Sequence, residues 1–425
     1  MSLDRLLAES AERAPERPAL VFEGARITYG ELDALADAAA PEGRLVALPM
    51  PNLPDSVARF HGAVRRGAVV VPLNPLLSEH EVAQRRQPFE PLTGTAVVLY
   101  TSGTTGEPKR VELRGDLLRV NAEYIAREAL DLTEDDVLFG SAPLAHVFGM
   151  TGCMNAAIAA GATLVLVRRF DAFAALDVIE RDNVTVFMGV PAMLSALLAA
   201  SEETGRAPRM RLAHVGAAPL APATLEAFER RFGATVLEGY GMTEAGGLVA
   251  VNHAGAPRKP GSVGTAAAGQ EVRIAEDGEV LVRVGDRSIA TGDVGRIDEE
   301  GYLFLLDRKK DVILRGGYTV YPSQVEAALS AHPAVREAAV AGVPHATLGE
   351  EVAALVVPRA PCEADELKAF ARRHVAAYAY PRLVVFVDEL PRNTSGKLLR
   401  REVVALLSGS RCDARSPRRC GAAAD

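Results

Sequence analysis

The sequence predicts an α/β protein: a large N-terminal domain of layered α/β subdomains with a small β-rich subdomain, followed by a small α+β domain. Continuous Val- and Leu-rich runs at 69–73, 96–100, 163–167 and 185–188 have the character of strands buried on both faces. Helical segments such as 173–181 and 222–232 lie between such runs, the alternation that builds parallel sheets. After Gly269 the pattern changes to paired strands, 271–275 and 279–284, around the turn Asp277-Gly278.

From Asp307 a smaller unit begins. Ser323 and Glu326 have the spacing of a capping box opening a helix after Pro322. Strands near 335–341 and 352–357 follow, then a helix from 364 to about 377. The expected domains are 1–306 and 307–407. Residues 408–425 lack apolar periodicity and are expected to form a disordered tail.

With 425 residues the chain is too long for one ordinary domain. Its net charge of -8 argues against a nucleic-acid partner, which would need a basic stripe. Four cysteines are no disulfide framework, and a reducing, cytoplasmic compartment is expected. No secretory signal is read at the N-terminus, where charges mix with leucines at helical spacing. The longest uncharged stretch, 150–167, is interrupted by Gly152, Asn155 and Gly161. It reads as a helix, a turn and a buried strand rather than a membrane span.

The strongest local signal runs from Tyr100 to Lys109. A strand ends, and Thr101, Ser102, Gly103, Thr104, Thr105 and Gly106 form a loop of hydroxyls and glycines, closed by the cation of Lys109. Glycines admit close approach of a polyanion, hydroxyls donate to phosphate oxygens, and the ammonium adds charge. The spacing is not that of a Walker A loop.

This loop resembles the phosphate-binding signature of the adenylate-forming superfamily: acyl-CoA synthetases, luciferases and peptide-synthetase adenylation domains. Further motifs follow in that family's order between about Leu3 and Leu407. They are Pro143 to Gly149 with His146, Gly216-Ala217-Ala218-Pro219, Glu238-Gly239-Tyr240-Gly241 leading to Thr243-Glu244, Thr291 to Asp293, Asp307 to Asp311, Gly316-Gly317, and Pro391 to Lys397. The resemblance, most like an acyl- or aryl-CoA ligase, implies that the C-terminal domain is a mobile lid. It implies ATP, Mg2+ and coenzyme A as cofactors and co-substrates, with a small carboxylic acid as the other reactant.

By the same resemblance His146 borders the acyl pocket and Gly216, Ala217 and Ala218 lie beside the adenine. Tyr240 stacks on that ring. Glu244 holds the metal, Thr243 meets the α-phosphate, and Asp293 and Arg308 take the ribose. Lys310 is the hinge, Gly316 and Gly317 line the thiol channel, and Lys397 bridges the carboxylate and the phosphate as the adenylation lysine. These types suit the chemistry: two anions must be neutralised and aligned for in-line attack. Glu326 reads as a capping carboxylate and Cys153 as a small core residue.

The chain is shorter than the family pattern. The phosphate loop follows closely on Pro72 to Pro75, and the stretch before Thr291 is abbreviated. A strand-helix portion of the first subdomain is expected to be missing, leaving an exposed edge that a homodimer would cover. Small and apolar residues (Gly189, Ala217, Gly239, Gly246, Gly247, Val147, Phe148, Val190) imply an uncharged aryl or medium aliphatic acid if they line the pocket. Two alternatives accompany the ligase reading: transfer to an acyl carrier protein or another nucleophile, and an inactive nucleotide-binding relative.

Overall fold

The computed structural model describes residues 2–102, 108–267, 269–392 and 398–413, apart from the side chains of 102, 108 and 410–413. The chain divides into two compact units. The larger comprises residues 1–273, 281–289 and 297–304; the smaller comprises 274–280, 290–296 and 305–425.

The larger unit opens with an antiparallel pair, β1 (Pro18–Phe22) and β2 (Ala25–Thr28). A four-stranded sheet follows, formed by β3 (Leu45–Pro49), β4 (Val69–Leu73), β5 (Thr95–Ser102) and β6 (Pro108–Arg114) in that order. The main sheet is completed by β7 (Val137–Gly140), β8 (Thr163–Leu166), β9 (Val186–Gly189), β10 (Leu212–Val215), β11 (Thr235–Tyr240), β12 (Ala250–Val251) and β13 (Thr265–Ala266). Its order is β13-β12-β11-β10-β9-β7-β8-β1-β2. The strands from β11 across to β1 run parallel, with antiparallel additions at both edges.

Alternation along these strands fills two cores. Leu138, Leu164, Val186, Met188, Leu212 and Leu237 pack on one face, among helices that include Leu6–Arg13, Pro54–Arg65 and Gly115–Tyr124. Phe139, Val165, Phe187, Ala213, Val215 and Val236 face the other way, against helices Ala172–Arg181, Pro191–Thr204 and Pro222–Phe232. There Phe139 stacks on Phe187 with centroids 5.2 Å apart. A strand buried on both faces has no polar side to show, which is why these segments read as continuous apolar runs.

The N-terminal ends of three of these strands are clamped by one carboxylate. Asp136, just before β7, accepts from Arg211 Nε and Nη2 at 2.7 Å each, from Thr185 Oγ1 at 2.7 Å and from the Thr133 amide at 2.8 Å. Arg211 immediately precedes β10 and Thr185 immediately precedes β9.

Further along, β14 (Gln270–Ile274), β15 (Glu279–Val284), β16 (Arg287–Ile297) and β17 (Leu303–Arg308) form a sheet in that order, and the division between the units runs through it. The turn joining β14 to β15 contains Asp277-Gly278, as the sequence predicts. The smaller unit also contains β18 (Ile313–Arg315), β19 (Tyr318–Val320), β20 (Val335–His345), β21 (Gly349–Pro358) and β22 (Leu383–Phe386), with helices Pro322–Ser330, Ala364–His374 and Arg400–Asp413.

Three expectations are corrected here. Ser323 and Glu326 form no capping box. The helix is capped from Tyr321 without a side-chain bond, and the Ser323 hydroxyl donates to the Leu306 carbonyl. Glu326 instead accepts from the Val340 amide at 2.7 Å and pairs with Arg400. The helix from Ala364 stops at His374, three residues short of the expected end. The final helix runs through 408–413, and Leu407, fully buried, anchors its apolar side. Among the described residues no helix is long and apolar enough to cross a membrane.

Burial alone would raise the Asp136 pKa, but Arg211, the Thr133 amide and the Thr185 hydroxyl together hold it below the ordinary carboxylate value. A carboxylate held low stabilises the fold above its unfolded-state pKa and loses that contribution as the pH falls through its folded value. Asp136→Ala is therefore expected to cost about 2 kcal/mol at neutral pH, because the Arg211, Thr185 and Thr133 donors lose their acceptor while Arg211 stays partly hydrated. Urea unfolding measures this, and the difference from wild type should shrink below about pH 4.

Candidate active site

In open parallel sheets, ligands bind outside the carboxyl ends of the strands, where the strand order reverses. Here β7 lies between β8 and β9, so the chain leaves β7 to one side and later returns on the other. The segment leaving the C-terminal end of β7 carries Pro143 to Gly149. Its His146 is exposed, which removes the reading of a core histidine. Gly149 is needed sterically, since a Cβ there would stand 2.2 Å from the Pro143 carbonyl oxygen.

The neighbouring strand ends supply the next motifs. Gly189, Val215 and Glu238 are register partners across β9, β10 and β11. Gly216, Ala217 and Ala218 leave β10 there. The Gly216 amide donates to the Gly189 carbonyl at 3.3 Å. Ala217 is exposed with φ 70°, a left-handed conformation that an alanine holds only at a cost of about 1 kcal/mol or more. Gly239 and Tyr240 end β11, and Gly241 begins the turn that carries Thr243 and Glu244. A Cβ on Gly241 would lie 2.0 Å from the Gly247 carbonyl oxygen, so the turn closes only around glycine. Asn121 holds the turn from below, donating its amide to the carbonyls of Ala245 at 2.8 Å and Gly246 at 3.2 Å. The sequence reading passed over Asn121, although it interrupts the apolar stripe of Leu118, Ala122 and Ile125.

The phosphate loop spans an antiparallel pair. Thr101 and Ser102 in β5 stand opposite Lys109 and Pro108 in β6. Gly103, Thr104, Thr105 and Gly106 lie outside the described residues, as does Lys397. Lys109 Nζ is 3.9 Å from Glu244 Oε1. Two motifs far apart in sequence thus bring a cation and a carboxylate together. Among the described residues no cluster of three or more metal-ligating side chains occurs. A single carboxylate such as Glu244 fits a hard divalent ion that takes its remaining ligands from substrate phosphates and water.

The smaller unit holds a second group. Asp293, nearly buried in β16, receives Arg308 Nε at 2.7 Å. The Thr291 hydroxyl donates to the Val280 carbonyl and accepts the Asp293 amide at 3.1 Å. The Gly292 amide donates to Glu279, itself gripped by Lys309 at 2.8 Å. Lys310 is exposed in the turn after β17. Gly316 and Gly317, with φ 56° and 84°, turn β18 into β19.

Glu238 is the unusual titrating group. Burial pushes its pKa up to about 7 against the opposing effects of the Gly261 amide and Arg258. A carboxyl raised in this way stabilises the folded state fully only below its unfolded value, and that contribution is lost as the pH rises through 7. Glu238→Gln should therefore be more stable than wild type at pH 8 by about 2 kcal/mol. The gain should vanish on acidification towards pH 4.5, and denaturation at both pH values checks it.

Residues 7–91 and 83–294 match the family model of AMP-binding enzymes, and residues 324–397 match the AMP-binding enzyme C-terminal domain. The long-chain-fatty-acid–CoA ligase of Bacillus subtilis is 30% identical, with 95% of this chain and 94% of that protein covered. The 526 aligned positions exceed the 425 residues here, so the alignment contains gaps in this chain. The 2-succinylbenzoate–CoA ligase of Bacillus velezensis is 32% identical, over 95% of this chain and 98% of its own. Among solved structures, ATP-bound MatB from Rhodopseudomonas palustris superposes with TM-score 0.84 at 28% identity, covering 96% of this chain and 99% of that one. The o-succinylbenzoate CoA synthetase of Bacillus subtilis, bound to its acyl-adenylate intermediate, gives 0.80 at 29%, covering 94% and 97%. With motifs, strand order and these likenesses in agreement, the chain belongs to the AMP-binding enzyme family.

Proposed function

We propose that this chain is an ATP-dependent carboxylate–CoA ligase. The observation that carries the proposal is the approach of Lys109 to Glu244 beside the strand ends that present Gly216, Tyr240 and Thr243. In the first half-reaction a carboxylate oxygen of the acid attacks the α-phosphorus of ATP. The bond to pyrophosphate breaks and acyl-AMP forms. In the second, the CoA sulfur, having lost its proton, attacks the acyl carbon, and the bond to AMP breaks to leave the thioester.

The hydroxyls of Thr101 to Thr105 and the Lys109 ammonium would hold the β- and γ-phosphates, and Thr243 would donate to the α-phosphate. Glu244 would hold a magnesium ion, whose charge offsets that of the phosphate oxygens. The Tyr240 ring would stack on the adenine between the Gly216–Ala218 loop and β11. Asp293 would accept both ribose hydroxyls, oriented by Arg308. Lys397 would place a mobile cation between carboxylate and phosphate. Lys310 would act as the hinge, and Gly316 and Gly317 would border the path of the thiol.

The test is magnesium-dependent exchange of pyrophosphate into ATP without added thiol. Exchange with some aromatic or medium-chain acid is expected. None across a broad panel, from folded protein that binds ATP, would favour an inactive relative. Thioester formation with CoA, against acylation of a carrier protein, identifies the acceptor.

Lys397→Ala should lower exchange roughly 10²–10³-fold or more yet still convert pre-formed acyl-AMP and CoA to thioester. Equal loss of both half-reactions would reject its assigned role. We also propose a homodimer that covers the edge of the four-stranded sheet at β3, which among the described residues pairs only with β4. Sedimentation at micromolar concentration should show twice the monomer mass.

A further inference from the structure

Within the apolar core that holds Val147, Met150, Cys153 and Met154, one helix carries buried polar side chains. Residues 148–155 form a π-helix, a form frequent at functional sites. Val147, Thr151 and Asn155 follow one another at intervals of four along it, which places them on one stripe. The stripe starts at the site: a Cβ built on Gly247 would stand 2.9 Å from Val147 Cγ2 and 3.6 Å from Thr151 Cβ. Asn155 lies one turn further along.

Thr151 and Asn155 are both fully buried. Thr151 Oγ1, Asn155 Nδ2 and Asn155 Oδ1 have no hydrogen-bond partner. Phe148 leans on His214, with rings 5.8 Å apart, and a Cβ on Gly239 would lie 2.6 Å from His214 Cε1. His214 Nδ1 is likewise buried and unpartnered.

Buried polar atoms in native proteins are nearly always satisfied, and each exception needs an occupant or a reason. Three of these atoms lie on one helix and the fourth on β10, which the Phe148–His214 contact joins to it, and together they point to an occupant that both donates and accepts. Thr151 and Asn155 carry no charge themselves. Burial pushes the His214 pKa down to about 4, so the imidazole is neutral at pH 7. The nearby amide of Asn121 is already used on backbone carbonyls.

We propose that the protein accepts a carboxylic acid whose tail carries a neutral hydrogen-bonding group, a hydroxyl, keto or amide function, and that Thr151 and Asn155 bind that group. The inference rests on the ligase reading and narrows its substrate class. Thr151, Asn155 and a neutral His214 supply no cation to compensate a second carboxylate at this position.

The test uses matched acids: octanoate against hydroxy- and oxo-octanoates, and 3-phenylpropanoate against its ring-hydroxylated forms, with kcat/KM read from pyrophosphate release. Wild type should favour a substituted member by about tenfold or more, since sites that hydrogen-bond a substrate group reject analogues lacking it. Thr151→Val and Asn155→Leu should bring the ratio towards one while the unsubstituted acid stays within about threefold of wild type. Thr151→Ser, which keeps the hydroxyl, should keep the preference. Equal turnover of both members by wild type overturns the proposal while leaving adenylation intact. A uniform loss on both members in the variants, or loss in Thr151→Ser as well, makes the polar stripe structural and overturns it too. Absence of exchange with every acid overturns the ligase reading and this inference together.

Discussion

The contact on which the candidate site depends lies at the far end of the main sheet from it. Asp136 ties the starts of β7, β9 and β10 through Arg211, Thr185 and Thr133. Parallel strands have no hairpin turn to set their register, so something else must. With the N-terminal ends aligned, strands of similar length finish together. Gly189, Val215 and Glu238 then fall side by side, and the loops that follow open on one edge. The long helical crossovers set the direction of the chain, but a slip of one residue would turn each strand's large apolar side chains from one core to the other. Phe139 and Phe187 stack within one core because Leu138, Val186 and Met188 belong to the other.

Much of this was legible because the strongest signals are local. A strand covered on both faces must be apolar throughout, and 69–73 reads that way at its full length. The helix 222–232 is bounded by Pro222 at its first turn and by Gly233 in a left-handed conformation, both visible in the sequence. What failed was long-range. The Ser323–Glu326 spacing satisfies the capping rule, yet Arg400, distant in sequence, competes for Glu326, and the Leu306 carbonyl takes the serine hydroxyl. A local motif proposes a bond, and tertiary contacts decide whether it forms. The final helix was missed for a related reason: residues 408–413 carry little apolar periodicity, while Val403 and Leu407 bury the preceding turns.

The site was legible as a set of motifs but not as a geometry. Nothing in the spacing of Lys109 and Glu244 places them 3.9 Å apart; the fold of the larger unit does. The residues that support them carry weaker signals. Asn121 shows only as a polar break in an apolar stripe. Thr151 and Asn155 lie inside an uncharged segment whose composition speaks for helix and strand, and their importance appears only when their polar atoms are found without partners. The sequence expected the small and apolar residues around Gly239 and Gly247 to make a plain hydrophobic pocket. The unpartnered atoms of Thr151, Asn155 and His214 are hydrogen-bonding capacity that this expectation did not include.

Two carboxylates show how one protein uses burial in opposite ways. Asp136 is buried with an arginine and two further donors, and its charge becomes part of the scaffold. Glu238 is buried at the site edge with one amide and a more distant guanidinium, so its proton is held to near neutrality. The difference lies in the number of donors supplied, since desolvation acts on both in the same direction. A charge at Asp136, at one end of the sheet, costs little because Arg211, Thr185 and the Thr133 amide match it. At the opposite end, full compensation within the protein would leave no unmatched groups to meet a polyanionic nucleotide. A binding edge therefore has to leave groups incompletely satisfied. Lys109, largely exposed and 3.9 Å from the Glu244 carboxylate, is held in that condition, as are the orphaned polar atoms of Thr151 and Asn155.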